Sequence, residues 1–138
     1  SVNPIVWKDR TITPGRHQIS EVRVDVANNK ADGRRWDMMS TADVKIEMTT
    51  QRGNRATFGL PRNLTSGSTR PNRLIDISER TVIRFTAYDD DSTRENSDPI
   101  GNGIIQYDEL RRGTPNEPIQ VRTNGQLNSL SITLTPVD

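Results

Sequence analysis

Hydrophobic and polar residues alternate along most of this chain with a period of two. Val22, Val24 and Val26 alternate with charged residues, and related patterns recur at 44–48, 82–87, 104–105, 119–121 and 130–134, with shorter candidates at 56–60 and 74–77. Successive side chains of a β-strand point to opposite faces, so this pattern predicts strands with one buried and one polar face. Strands buried on one face only are typical of antiparallel sheets.

Turn signals separate these candidate strands. They lie at 28–29, 51–54, 66–68, 102–103, 114–116 and 124–125. Helical periodicity is limited to one turn at 107–113, closed by Gly113. The pattern predicts an all-β fold, an antiparallel eight-stranded β-sandwich over residues 19–138. Residues 1–18, which contain Pro4, Pro14 and Gly15, are interpreted as a lead-in segment or an extra edge strand.

Composition excludes several classes of function. The length of 138 residues fits one domain, and no apolar run approaches the ~18 residues needed to span a bilayer. The chain has 19 basic and 18 acidic residues, which argues against nucleic acid as the main partner. The absence of Cys excludes disulfides and thiolate metal sites. The single histidine, His17, makes multi-histidine sites untenable, and we expect it to be exposed to solvent.

Two acidic segments between predicted strands are the candidate functional site. The first is 32–43 and the second is 89–101, which begins with three consecutive aspartates. Two carboxylates about 4 Å apart repel by roughly 4 kcal/mol at an effective dielectric constant of 20, so such a cluster either spreads into water or shares a cation. Oxygen ligands without His or Cys favour Ca²⁺ or Mg²⁺, and irregular loops suit Ca²⁺ better.

Two interpretations of these acidic segments stay open at this point. Acidic residues at hairpin ends are common on soluble proteins and need no ligand. Two such segments, each next to a strong strand in a sandwich, instead favour a shared cation site. The second segment does not follow the EF-hand pattern, because the regular spacing of acidic residues and the glycine are missing.

The second acidic segment and its flanking strands resemble the C2 domain family. The strand 81–88, Asp89-Asp90-Asp91 and the later Asp98-Pro99-Ile100-Gly101 are similar to the third calcium loop of that family, and 33–37 resembles the first loop of bacterial C2 domains. The resemblance covers roughly residues 20–138. It implies a permuted, phospholipase-like topology and Ca²⁺ as the cofactor. The calcium ligands it implies are Asp37, Asp43, Asp89, Asp91 and Asp98, with Asp90 facing the metal through its backbone carbonyl.

The resemblance also implies a surface that contacts a membrane or a partner. Met38 and Met39 are expected to enter a bilayer once calcium neutralises the loops, or alternatively to fold back over the core. Arg94 and the pair Arg34-Arg35 are candidate contacts for anionic headgroups, although exposed loop arginines often have no such role.

The leading hypothesis is a non-catalytic, C2-like module that attaches to an anionic phospholipid membrane or an acidic protein partner when calcium binds. The alternative is a calcium-stabilised structural or adhesion domain of a secreted multidomain protein. An enzyme using paired carboxylates has little support, because no catalytic histidine or nucleophile motif accompanies them. We expect a monomeric domain of a larger bacterial protein, located outside the cell, at its surface or in the periplasm.

Overall fold

The computed structural model describes residues 10–34, 43–61, 64–90 and 98–137. These residues contain nine β-strands and one short α-helix, and every strand pair is antiparallel. The elements in chain order are β1 Gly15–Val26, β2 Val44–Thr50, β3 Arg55–Gly59, β4 Ser66–Thr69, β5 Arg73–Ile77, β6 Val82–Asp89, β7 Asp98–Gln106, α1 Tyr107–Leu110, β8 Pro118–Thr123 and β9 Leu127–Pro136.

The nine strands occupy eight positions. Their order is β3-β2-β6-β7-β8-β9-β1-β4, and β5 also pairs with β1. β5 pairs with the first part of β1, from Gly15 to Ile19, whereas β4 pairs with its later part, from Val22 to Asp25. The two short strands therefore share one edge position in succession. The predicted all-β, eight-stranded antiparallel sandwich is confirmed.

Alternating side chains of these strands form one core between the two layers. The buried set combines valines of β1, isoleucines of β2, β6 and β7, and leucines of β9, with Phe85 of β6 among its largest members. Buried and more exposed positions alternate along most of these strands, as in β6, where Ile83, Phe85 and Ala87 are buried. Removal of this apolar surface from water is the main force that holds the layers together. No helix in the described part of the chain is long and apolar enough to cross a membrane.

Two segments predicted as turns are strands. Residues 66–68 lie in β4, where Gly67 pairs with Val24 of β1. Residues 102–103 lie inside β7, where Gly103 pairs with Phe85 on one side and with Thr123 on the other. Serine, asparagine and glycine favour turns locally, but pairing with a neighbouring strand overrides that preference here.

The prediction that His17 is exposed is wrong. Its side chain is only 3% exposed, and Nδ1 lies 2.9 Å from the carbonyl oxygen of Gly15. His17 lies within β1 and has neighbours on both sides, Ile75 of β5 and Pro136 of β9. Pro14 and Gly15 resemble loop residues in the sequence, but β1 begins at Gly15 and so covers the end of the predicted lead-in segment.

A bidentate ion pair between Glu109 and Arg122 joins the short helix α1 to β8. Arg122 donates from Nε and Nη2 to the two carboxylate oxygens of Glu109, at 2.7 and 2.8 Å. The Glu109 carboxylate also accepts from the backbone N–H of Gln106 at the start of the helix, at 3.2 Å. The hydrogen bonds from Arg122 lower the pKa of Glu109 below its ordinary value, and the Gln106 N–H acts in the same direction.

We expect the Glu109→Gln variant to have a lower melting temperature than the wild type near pH 7. Because the folded-state pKa of Glu109 is lowered, its contribution is present above the ordinary value of 4.5 and is lost as the pH falls through the lower folded-state pKa. The two melting temperatures should therefore converge in acid. Melting curves from pH 3 to 7 measure this, with Asp108→Asn as a matched helix control. A difference that persists unchanged to pH 3 would contradict the assignment.

We expect Gly101→Ala to destabilise the fold by about 1–3 kcal/mol, because overpacking against fixed atoms is costly. A Cβ at Gly101 would overlap the backbone carbonyl of Asn124 and lie 2.9 Å from the Cβ of Leu127. Gly59→Ala is the control, since its Cβ would meet only the flexible side chain of Lys45. Urea unfolding measures both variants, and an equal loss at the two positions would refute the close-approach explanation.

Candidate functional site

The two acidic segments leave the sheet from neighbouring strand ends. Asp89, the last residue of β6, pairs with Val44 at the start of β2 and with Asp98 at the start of β7. Val44, which follows the first acidic segment, and Asp98 of the second therefore lie on either side of Asp89 at one end of the sandwich. The predicted ligands Asp37 and Asp91, and the predicted contact residues Met38, Met39 and Arg94, lie outside the described residues, and their roles stay predictions.

Asp89 holds the first acidic segment against the second. Its Oδ1 accepts the backbone N–H of Asp43 at 2.8 Å, and the backbone N–H of Asp90 donates to the carbonyl of Asp43 at 2.9 Å. Asp89 is only 1% exposed, so this carboxylate lies inside the protein. A hydrogen bond between a buried carboxylate and a backbone N–H is of the stronger, charge-assisted kind. Asp89 thus has a structural task in addition to its predicted role as a metal ligand.

Asp98 lies next to a lysine of the protein itself. The Lys30 Nζ is 2.8 Å from the Asp98 Oδ2, and the two side chains are 28% and 34% exposed. A tight turn positions Lys30: its N–H donates to the carbonyl of Arg34 at 2.7 Å, and the N–H of Gly33 donates to the carbonyl of Lys30 at 2.9 Å. Gly33 has a φ of +86°, which favours glycine.

Sequence reasoning missed the role of Lys30 at this end of the molecule. The residue is isolated from other lysines in the sequence and belongs to no motif. Lys30 follows β1 and Asp98 begins β7, and only the fold brings the two side chains together. No local pattern signals such a contact between residues far apart in the chain.

The described carboxylates fit the chemistry of a calcium site in part. Asp43, Asp90 and Asp98 are half-buried at the same end and offer hard oxygen donors. Within residues 10–34, 43–61, 64–90 and 98–137, however, no three acidic or histidine side chains are close enough to hold a metal ion. A calcium site at this end would need further oxygen ligands, and those predicted from the sequence are Asp37 and Asp91.

We expect Asp89→Ala to destabilise the protein by about 1–3 kcal/mol without any added metal, because the N–H of Asp43 loses its buried acceptor. Asp98→Ala is the comparison, since its ion pair is partly exposed and should contribute only about 0–1 kcal/mol. Urea unfolding in the presence of a chelator measures both. A loss at position 89 no greater than that at 98 would show that the Asp89 contact is dispensable.

Comparison with known proteins identifies the fold. No protein-family model matches the sequence, and no curated protein matches it either. Among solved structures, a C2 domain of plant extended synaptotagmin 1 is similar with a TM-score of 0.56 and 17% identity, over 92% of this chain and 99% of that domain. A C2 domain-containing protein from a putative elicitor-responsive gene matches with a TM-score of 0.50 and 18% identity, over 93% of this chain and 96% of its own.

A larger enzyme contains a similar unit. Human GIVD cytosolic phospholipase A2, in a complex with an inhibitor and terbium chloride, matches 94% of this chain with a TM-score of 0.55 and 17% identity. The match covers only 18% of the phospholipase chain. At these identities the likeness concerns architecture alone. The arrangement of strands, together with these structural matches, shows that this chain has the C2-domain fold.

Proposed function

We propose that this chain is a non-catalytic C2-like module that binds Ca²⁺ between its two acidic segments and then attaches to an anionic membrane or an acidic protein partner. One observation carries the proposal: Asp43, which follows the segment 35–42, and Asp90 and Asp98, which flank the segment 91–97, lie beside Asp89 at one end of the sandwich. The C2 fold is often used for calcium-dependent membrane binding, and C2 domains often lie within larger proteins.

The proposed ligands are Asp37 and Asp43 from the first segment and Asp89, Asp91 and Asp98 from the second, with Asp90 contributing its backbone carbonyl. When bound, calcium would supply the positive charge that allows these carboxylates to remain close together. The terbium in the similar phospholipase structure is also a hard cation that prefers oxygen ligands. The bacterial origin and the permuted topology implied by the sequence remain part of this proposal.

Arg34 is the described residue proposed to contact a negatively charged partner. Its side chain is 81% exposed, and its Nε lies 3.7 Å from the Asp32 Oδ2, so a partner would compete with Asp32 for it. Met38, Met39 and Arg94 are the other proposed contact residues. Loop sites of this kind match the roughly 10⁻⁴–10⁻³ M calcium affinities of extracellular modules, which favours a location outside the cell, at its surface or in the periplasm.

A structural role is the second candidate, and a specific observation favours it. Asp89 and Asp98 already have partners within the protein, the N–H of Asp43 and the ammonium of Lys30. The described part of this end is therefore held together by the chain's own groups. A domain of this kind can link or display other domains of a secreted protein without binding lipid.

We expect millimolar Ca²⁺ to raise the melting temperature of the wild type, whereas Mg²⁺ does little. At a calcium concentration 100-fold above the dissociation constant, the stabilisation should be about 2.7 kcal/mol. The double variant Asp37→Asn/Asp91→Asn should lose the response. Asp76→Asn, on β5 at the other end of the sandwich, should keep it. A wild type that shows no shift with calcium would refute the calcium site.

We expect vesicles of phosphatidylserine and phosphatidylcholine to sediment the wild type only when calcium is present. The variant Met38→Ser/Met39→Ser should keep the calcium-induced rise in melting temperature but sediment less. Vesicles of phosphatidylcholine alone serve as the control for charge. Stabilisation by calcium without any calcium-dependent sedimentation would reject membrane attachment and favour the structural role.

A further inference from the structure

We infer that the Lys30 ammonium is a built-in competitor of calcium for Asp98 and sets the calcium concentration to which this end of the molecule responds. The inference rests on the proposed function and concerns how the same site is regulated. It assigns a role to a residue that belongs to none of the acidic motifs.

The contact between Lys30 and Asp98 is direct and oriented. The Nζ and Oδ2 atoms are 2.8 Å apart, which is within hydrogen-bond distance for an ammonium and a carboxylate. Both side chains are about two-thirds or more buried, so salt screens this pair less than a fully exposed one.

The backbone around Lys30 presents the ammonium to this end of the sandwich. Two hydrogen bonds close the turn, one from the N–H of Lys30 to Arg34 and one from the N–H of Gly33 to Lys30. The preceding strand is fixed as well, because the N–H of Ala27 donates to the carbonyl of Gln126. The backbone on both sides of Lys30 is therefore fixed by hydrogen bonds in the position from which its side chain contacts Asp98.

Calcium and the ammonium compete for Asp98 in two ways. The Asp98 Oδ2 atom, which accepts a hydrogen bond from Lys30, is one of the two oxygens with which Asp98 would bind calcium. A unit positive charge about 6 Å from a divalent ion also weakens binding of that ion about tenfold at a water-like dielectric constant. Lys30 must therefore move away from Asp98 before that carboxylate can bind calcium fully.

The pair also explains how Asp98 is tolerated beside Asp89. The two residues are paired across β6 and β7, so their backbones are neighbours. The N–H of Asp43 stabilises the Asp89 carboxylate, and the ammonium of Lys30 stabilises the Asp98 carboxylate. The protein thus carries a cation of its own at the position where the proposed function requires one.

The test is a calcium titration of the wild type, Lys30→Gln and Lys45→Gln, followed by melting temperature and by calorimetry. Lys45 is the matched control, because its substitution removes one positive charge from β2, two residues after Asp43, and its side chain packs over Gly59 instead of Asp98. We expect Lys30→Gln to bind calcium about tenfold more tightly than the wild type. Lys45→Gln should stay within about twofold of the wild type.

Each outcome of the titration decides one question. Equal affinity of Lys30→Gln and the wild type, or an equal gain in Lys45→Gln, would overturn the role of Lys30 and leave the calcium site standing. If Lys30→Gln binds calcium and the other two proteins do not, the role of Lys30 is supported, and the Lys30 ammonium prevents calcium binding in the wild type. Absence of binding in all three proteins would reject both the site and its regulation.

A measurement on the wild type keeps the inference testable if Lys30→Gln does not fold. Nitrogen-15 NMR of the lysine side chains detects an ammonium that is protected from exchange by an ion pair. We expect the Lys30 signal to shift and lose protection as calcium saturates the protein, whereas the Lys45 signal changes little. A Lys30 signal unchanged at saturating calcium would overturn the competition.

Discussion

The arrangement of this end of the molecule depends on the hydrogen bonds that join Asp43 to Asp89 and Asp90. Asp89 accepts the backbone N–H of Asp43, and Asp90 donates its own N–H to the carbonyl of the same residue. The bond from Asp90 joins the backbones just beyond β2 and β6, and the bond to the Asp89 side chain lies beside it. They hold Asp43, the last residue of the first acidic segment, against Asp89 and Asp90, the first residues of the second.

Stabilisation of the carboxylates by the chain itself shapes the proposed calcium response. The backbone N–H of Asp43 stabilises the Asp89 carboxylate, and the Lys30 ammonium stabilises the Asp98 carboxylate. The proposed binding step changes the loops and their charge, while the sandwich beneath them stays as it is.

The sequence predicted the strands well because alternation reports burial, and burial decides the fold here. It was wrong at 66–68 and 102–103, where glycine and serine favour turns but a neighbouring strand supplies the hydrogen bonds. It was wrong at His17, because loop-like residues before it concealed the start of β1. Spacing along the chain also cannot show Lys30 beside Asp98, a contact created by the fold, and the ligand roles of the aspartates stay predictions.

The division of one edge position between β4 and β5 limits how other chains can add to the sheet. β1 is twelve residues long, and a bare edge of that length would expose a long row of unpaired N–H and carbonyl groups. Two separate strands of four and five residues cover it instead. A strand from another chain could pair only with the outer backbone groups of these two short strands, which are not continuous with each other. Few intermolecular hydrogen bonds can therefore form along this edge.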